Sequence, residues 1–434
     1  MSNTETSLKA RYQNMLIRMR ELVPMEDFIF GELFECKRVH SSRIRVPVHT
    51  GETQQLRAFI AHHCNPFKTG EDPYKGGLRK SAEVVQDMIE GLSMDMTIKQ
   101  AIASLPLGGG KAGICLEKGF HYTLQDHARM NKAFVIEFDK VNMLGPRIYS
   151  TASDLGTSEF DCDIIAKEYV AVHETELGSK RGVATGKSVE EFGNPARKKA
   201  TGRGGLIAAR KMLSLLGDKE SERTIAIDGF GNVGQPCFEL ALEYGFKPVA
   251  VSNIDGGLHN PHGLDVEKVL NYFREHKTFD GYKEADAIAN EEILSIQCDI
   301  LFPASTENRL TARTAGGVRA RFVGELANGP TTEEGERILL DNGVIIFPDV
   351  LLNAGGVIIS WRELNVNKEH DRHLVETSEE EATSNALLQN IMRFNTEKVF
   401  ETAVKEHLNM RDAAWHVALS RLVPRLQKKH LLYL

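Results

Sequence analysis

The chain has 434 residues, 41% hydrophobic and 26% charged, a composition ordinary for a globular protein of two or three domains with a sizeable core. Lysine and arginine number 53 against 60 aspartates and glutamates. The formal charge of −7 gives no global attraction for nucleic acid or an anionic membrane. No stretch approaches the roughly 18 apolar residues of a membrane helix. The first residues, Met1 to Thr6, are polar and lack the basic and apolar regions of a secretory signal. The six cysteines are scattered without a C-x-x-C, so neither a disulfide scaffold nor a metal site is expected. These features predict a cytoplasmic protein with no nucleic-acid or membrane partner.

In chain order, Arg43 to Pro47 and Arg57 to His62 read as short strands. Residues 82–104 read as an amphipathic helix, with Val85, Met88, Ile89, Leu92 and Met96 at three- and four-residue steps and Ser81 as its N-cap. The adjacent His62 and His63 point to opposite faces of a strand and do not suggest a metal. Glycine clusters at Gly76-Gly77, Gly108 to Gly110, Gly202 to Gly205, Gly229 to Gly234 and Gly355-Gly356 suggest loops around ligands. After the second of these, Gly113 to Leu116 reads as a strand. From Thr224 onward, short apolar runs (Thr224 to Asp228, Pro248 to Ser252, Ile300 to Phe302, Val344 to Phe347) alternate with helical segments. This is the pattern of a doubly wound parallel sheet. From about Ser378 the chain reads as helices only, with Glu379 to Glu381 in a first turn.

Gly229-Phe230-Gly231-Asn232-Val233-Gly234 lies between a predicted strand and a predicted helix, the context in which G-x-G-x-x-G signals a dinucleotide. Gly229 would make the tight turn, Gly231 would admit a pyrophosphate, and Gly234 would let helix pack on strand. The next strand ordinarily ends in an acid that binds the adenine ribose. Here Asn253 holds that position and Asp255 follows two residues later. Asn253 repels a 2′-phosphate less than an acid would, and Asp255 restores some repulsion, so NAD and NADP both remain open, with NAD slightly favoured.

Three lysines stand out: Lys75 in Pro73-Tyr74-Lys75-Gly76-Gly77-Leu78-Arg79, Lys99 in Met96-Thr97-Ile98-Lys99, and Lys111 after Gly108-Gly109-Gly110. Asp154 follows in Thr151-Ala152-Ser153-Asp154-Leu155-Gly156-Thr157. A lone lysine is ordinarily a solvated surface charge; glycine beside it favours one that meets a carboxylate. With Ala200-Thr201-Gly202-Arg203-Gly204, Ala327 to Thr332, Pro348-Asp349-Val350, Asn353 to Val357 and Asn409 to Ala414, these motifs resemble the glutamate/leucine/phenylalanine/valine dehydrogenase family, most closely its hexameric glutamate dehydrogenases. The resemblance runs from about residue 25 to residue 425.

The resemblance implies two α/β domains around a cleft. A mixed-sheet substrate domain would span 1–185, with a helix of about 411–434 returning to it, and a Rossmann-like dinucleotide-binding domain would span 186–410. It implies oxidative deamination of L-glutamate to 2-oxoglutarate and ammonia with NAD or NADP, the reverse amination, and a homohexamer. Lys111 would be the catalytic lysine and Asp154 the proton-transfer carboxylate. Lys99 would bind the substrate α-carboxylate, while Lys75 and Ser360 would bind its side-chain carboxylate beside Gly77. Thr201, Asn232, Val233, Asn328 and Asn353 would lie around the nicotinamide cofactor. A lysine base must be drawn toward neutrality by burial or by nearby cations; for Lys111 the two other lysines are expected to do this. An apolar substrate side chain would leave Lys75 buried and unpaired, which disfavours branched-chain amino acids. A branched-chain dehydrogenase and a non-catalytic nucleotide-binding sensor stay open as alternatives. Departures from the family pattern are Glu191 to Pro195 in place of a Gly-Gly-Ser stretch, Phe160 where arginine is usual, and Trp361-Arg362-Glu363, whose Arg362 would add a cation near the pocket.

Overall fold

The computed structural model describes residues 7–67, 72–173, 178–218, 222–369 and 377–431. The chain forms two compact units. The first comprises Met1–Arg197, Val357–Ser384 and Ala418–Leu434; the second comprises Lys198–Gly356 and Asn385–Val417. The division therefore falls later than the expected 185/186. Residues 357–384, Ser360 among them, belong to the first unit instead of the nucleotide domain.

The first unit is built on a mixed sheet of β1 (Arg38–Pro47), β2 (Thr53–His62), β3 (Tyr74–Lys75), β4 (Leu78–Ser81), β5 (Gly108–Cys115), β6 (Tyr149–Ala152) and β7 (Ala184–Thr185). The order is β1-β2-β5-β3-β6-β7, with β4 also paired to β5. β1 and β2 form an antiparallel hairpin in register from Arg38↔His62 to Pro47↔Thr53. β3, β4 and β6 run parallel to their neighbours. On one face the sheet packs Leu56, Ala58, Ile60, Ala112 and Ile114 against Phe134, Phe138, Ile165 and Tyr169 of helices Leu124–Lys140 and Glu159–Val172. Each of these helices starts with a capping box, Thr123 with Asp126 and Ser158 with Asp161. The other face carries helix Gln86–Ile102.

Two expectations change here. Ser81 pairs with Cys115 as the last residue of β4, so it is not a helix cap; the helix begins at Gln86, after Val85. Gly108 to Gly110 lie inside β5, not in a loop. Likewise Gly202 to Gly205 lie within helix Ala200–Leu215, and Gly355-Gly356 open helix Gly355–Glu369. Among the clusters, Gly76-Gly77 and Gly229 to Val233 lie between regular elements, and Gly234 opens helix Gly234–Leu240.

The second unit has a seven-stranded sheet in the order Asp286–Ile288, Gly257–His259, Phe246–Ser252, Arg223–Asp228, Ile300–Pro303, Phe322–Gly324, Ile345–Phe347. Its strands are β8 (Arg223–Asp228), β9 (Phe246–Ser252), β10 (Gly257–His259), β11 (Asp286–Ile288), β12 (Ile300–Pro303), β13 (Phe322–Gly324) and β14 (Ile345–Phe347). β9, β8, β12, β13 and β14 are parallel, while β10 and β11 add an antiparallel edge. The connection from β8 passes to β9 on one side, and β12 lies on the other. The carboxyl ends of β8 and β12 thus mark a topological switch point, where ligands bind in such sheets. Glu379 and Glu380 stand in the first turn of helix Thr377–Glu406, as expected. No described helix is long and apolar enough to cross a membrane.

Candidate active site

The sheet of the first unit aims three cations at one face. Lys75 is in register with Gly109, and Arg79 with Gly113. Lys111 lies between those glycines on β5, so alternation puts Lys75, Arg79 and Lys111 on a common face. A Cβ at Gly109 would meet Thr97, and one at Gly113 would meet Ile89, both on helix Gln86–Ile102, which also carries Lys99. The bare glycines let that helix sit close and frame the lysines.

Lys111 is almost fully buried, and its Nζ donates to Asp154 Oδ2. Asp154 is fixed from several sides. Arg79 Nε donates to its Oδ1 at 3.1 Å, the Leu155 N–H donates to the same oxygen at 2.6 Å, and its own N–H donates to Thr157 Oγ1 at 2.7 Å. A Cβ at Gly77 would strike Asp154 Cβ at 2.7 Å, so only glycine admits the carboxylate there. Burial pushes the Asp154 carboxyl up, but Lys111 and then Arg79 outweigh it and hold it well below the usual carboxylate range. Burial is also the main cause that lowers Lys111. Of the cations acting on Lys111, Arg79 comes first and Lys99 next. Lys75, expected as one of two lysines doing this, is not among them; Arg79 takes its place. Lys99 Nζ lies 3.3 Å from Asp95 Oδ2, one helical turn earlier.

Lys75 belongs to a neighbouring cluster. It is 1% exposed, and its Nζ donates to the Thr151 carbonyl at 2.8 Å. Burial pulls its pKa down to about 7, with Glu363 opposing and Arg197 reinforcing the shift. Arg197 Nε donates to Ser360 Oγ at 3.1 Å. Glu363 is occupied by Lys187 Nζ at 2.5 Å and by the N–H groups of Gly186 and Asn194. The charges acting on Lys75 include those of Arg197, Lys187 and Glu363, so with Lys75 protonated the basic groups outnumber that carboxylate. Such a surplus suits an anionic ligand group.

In the second unit the glycine fingerprint has the expected geometry. Gly229 has φ +111, open to glycine and strained for other residues. A Cβ at Gly231 would meet nothing within 4 Å, so the backbone there stands open; a Cβ at Gly234 would strike the Gly229 carbonyl oxygen at 1.8 Å. Helix Ala200–Leu215, which carries Thr201, packs on this loop so closely that a Cβ at Gly202 would meet Val233 O at 3.0 Å. Asn353 Nδ2 donates to Asn328 Oδ1 at 3.0 Å and to Ala327 O at 3.3 Å. Its Oδ1 is buried with no partner, an acceptor ready for an amide N–H. Arg411 donates to both oxygens of Glu325, to Glu336 and to Asp349, and Asp349 accepts from the Gly329 N–H, so the Asn328 loop is anchored. An open glycine loop and an orphaned amide acceptor fit a nicotinamide dinucleotide.

Comparison with known proteins decides the lineage. Residues 193–429 match the Glutamate/Leucine/Phenylalanine/Valine dehydrogenase model, and residues 36–171 match the Glu/Leu/Phe/Val dehydrogenase dimerisation domain. The chain belongs to the glutamate/leucine/phenylalanine/valine dehydrogenase family. It is 32% identical to a glutamate dehydrogenase of Thermotoga maritima, covering 98% of this chain and 99% of that one. It is 32% identical to the NADP-specific glutamate dehydrogenase A1 of Halobacterium salinarum, over 95% of each. With the catabolic NAD-specific glutamate dehydrogenase RocG of Bacillus subtilis it shares 31% identity, over 90% of this chain and 89% of the relative. Its fold matches the hetero-hexameric glutamate dehydrogenase of Thermus thermophilus, in a leucine-bound form, with a TM-score of 0.87 at 25% identity over 98% of both chains.

Some site features of this family member were not predicted from sequence. Arg79 was visible only as the end of the Lys75 motif, and Arg197 only as a basic residue before Ala200. The residues each touches come from distant parts of the chain, so spacing gave no signal for either. Arg362 does not add a free cation: its guanidinium forks onto Glu380 at 2.9 and 2.8 Å. Asn194, in the departing Glu191 to Pro195 segment, donates to Glu380 and Ser384. Asn253 uses its Oδ1 within its own turn, accepting from the N–H groups of Asp255 and Gly256. Among the described residues no group of three His, Cys, Asp or Glu side chains could hold a metal.

Proposed function

We propose that this family member is an NAD(P)-dependent glutamate dehydrogenase, interconverting L-glutamate and water with 2-oxoglutarate and ammonia. The observation that carries the choice of glutamate is the cation surplus around Lys75. In this reading Lys75, Arg197 and Ser360 receive the side-chain carboxylate and Lys99 the α-carboxylate. Gly231, Asn232 and Val233 face the pyrophosphate side of the cofactor, while Thr201, Asn328 and Asn353 hold the nicotinamide. When bound, the nicotinamide supplies the hydride acceptor or donor.

The chain's own groups manage the protons. Asp154 Oδ2 takes a proton from the substrate α-ammonium, leaving the amine whose Cα can give up hydride. Water then adds to Cα of the iminium and Lys111 Nζ takes its proton. Asp154 returns its proton to nitrogen, the C–N bond breaks, and the hydroxyl proton leaves with ammonia as ammonium. Lys111 releases the water proton to solvent. A buried lysine whose pKa is lowered by desolvation is suited to its part because burial favours the uncharged form that can take a proton.

The exposed Asp255, in the turn that Asn253 closes, disfavours a 2′-phosphate and supports a slight preference for NAD. The proposed assembly is a homohexamer, which light scattering of the purified chain alone tests.

The deciding assay follows ammonium-dependent oxidation of NADH and NADPH, separately, with 2-oxoglutarate or 4-methyl-2-oxopentanoate. Turnover with 2-oxoglutarate is expected to exceed the branched substrate on the order of a thousandfold or more, as for a site built to pair a charged group. Lys111→Ala should lose turnover and keep cofactor binding. Preferential use of the branched substrate would sink the Lys75 assignment. No turnover with either would favour a sensor.

A further inference from the structure

Arg79 has no task in the steps above, yet it touches the centre of the proton chemistry. It is 7% exposed, on β4, in register with Gly113. Its Nε donates to Asp154 Oδ1, and its Nη1 lies 3.8 Å from Met88 Sδ on helix Gln86–Ile102. We propose that Arg79 is a positioning residue of the Lys111–Asp154 pair: it clamps Oδ1 so that Oδ2 alone is presented to Lys111 and the reacting nitrogen, and its charge governs the protonation of both partners.

The geometry supports the first half. Asp154 Oδ1 is taken by two donors, Arg79 Nε and the Leu155 N–H, while Oδ2 meets Lys111 Nζ. A carboxylate held on one oxygen from two directions cannot exchange its oxygens by rotation without breaking both bonds. The proton taken from the substrate nitrogen is thus returned from the same oxygen. The second half follows from charge. The groups facing the pair are Arg79 from β4, Lys111 from β5, Asp154 after β6, and Lys99 with Asp95 from helix Gln86–Ile102. A fixed guanidinium among them favours ionised Asp154 and uncharged Lys111 alike. Both effects have the same sign on the pH axis: removing Arg79 moves each group's titration upward.

That common sign separates positioning from mere support of the fold. The reading rests on the roles given to Lys111 and Asp154, so the experiment carries Lys111→Ala and Asp154→Asn beside Arg79→Gln and Arg79→Lys in the full-length enzyme. The pH profile of kcat/KM for glutamate is recorded for each active variant, with thermal melting to confirm folding. Arg79→Gln is expected to lower kcat by on the order of a hundredfold, the usual contribution of a well-aimed proton-transfer group. KM for the cofactor should stay unchanged, and the acid limb of the profile, where Asp154 ionises and Lys111 loses its proton, should move to higher pH. Arg79→Lys should restore the acid limb toward wild type, since it keeps the charge, but recover less of kcat because an ammonium lacks the planar fork. A folded Arg79→Gln enzyme with wild-type kcat and acid limb would overturn the proposal, as would an acid limb moving to lower pH. If Arg79→Gln melts before it can be assayed, kcat of Arg79→Lys decides, and a wild-type value overturns the proposal. Turnover surviving in Lys111→Ala or Asp154→Asn would instead overturn the underlying assignment of base and proton carrier.

Discussion

Lys75 is a buried lysine whose protonation would report an arriving carboxylate. Its ammonium has been taken out of water with a backbone carbonyl as partner, and burial draws its pKa to about 7. A carboxylate arriving beside it favours the charged form and raises that pKa again. At about pH 8 the free lysine is largely uncharged, so binding of 2-oxoglutarate should take up protons, on the order of one per site from this group. Titration calorimetry in buffers of different ionisation enthalpy measures the uptake, and Lys75→Met should remove it. Affinity should fall as pH rises through and above the free lysine's pKa. Proton uptake unchanged in Lys75→Met would show that another group meets the carboxylate. The lysines, Asp154 and the asparagines were legible in the sequence because each sits in a short, ordered motif. Arg79 and Arg197 were not, because what gives each its meaning is a contact with Asp154 or Ser360, far along the chain.

At the scale of elements, alternating patterns and apolar runs locate β1, β2 and four of the five parallel strands of the nucleotide unit, but not the three-residue β13, and the glycine-rich strand β5 reads as a loop. Glycine weakens strands and commonly marks turns, so a run of three argued against a strand. The competing demand is close packing. A Cβ at Gly109 would lie 2.0 Å from Thr97 Oγ1, 2.4 Å from the Ser93 carbonyl and 2.5 Å from the Thr97 N–H. Two of these are backbone atoms of helix Gln86–Ile102, which cannot turn aside as a side chain can. Gly109→Ala must therefore lift the helix that carries Lys99 off the strand that carries Lys111. Overpacking of this kind costs about 1–3 kcal/mol or more. Urea denaturation should show that loss, together with a raised KM for glutamate. An alanine variant with wild-type stability and KM would mean that the helix and strand have slack that these distances deny.

The whole molecule departs furthest from a linear reading, because the first unit takes its parts from three stretches of chain. The resemblance implies that the last helix returns to the first unit but not that residues 357–384 belong there, and a helical pattern does not say which core its apolar side belongs to. Helix Met410–Leu431 supplies the first unit with Leu422 and Leu426, both essentially buried. Arg421 Nη1 donates to the carbonyls of Ala101 and Ile102 at 3.0 and 2.6 Å, satisfying the end of helix Gln86–Ile102. Lys429 pairs with Glu32 at 2.6 Å. These C-terminal residues are thus core and cap of the substrate unit, although it begins more than three hundred residues earlier. The two tryptophans test this, since Trp361 lies in the first unit and Trp415 in the second. With Trp415→Phe as background, Leu426→Ala should lower the urea midpoint reported by Trp361 fluorescence. The expected loss is about 2–5 kcal/mol, typical of a leucine truncated in a core. If the Trp361 transition stayed in place and only a Trp415 signal, read in the Trp361→Phe background, moved, the last helix would have to be assigned to the nucleotide unit.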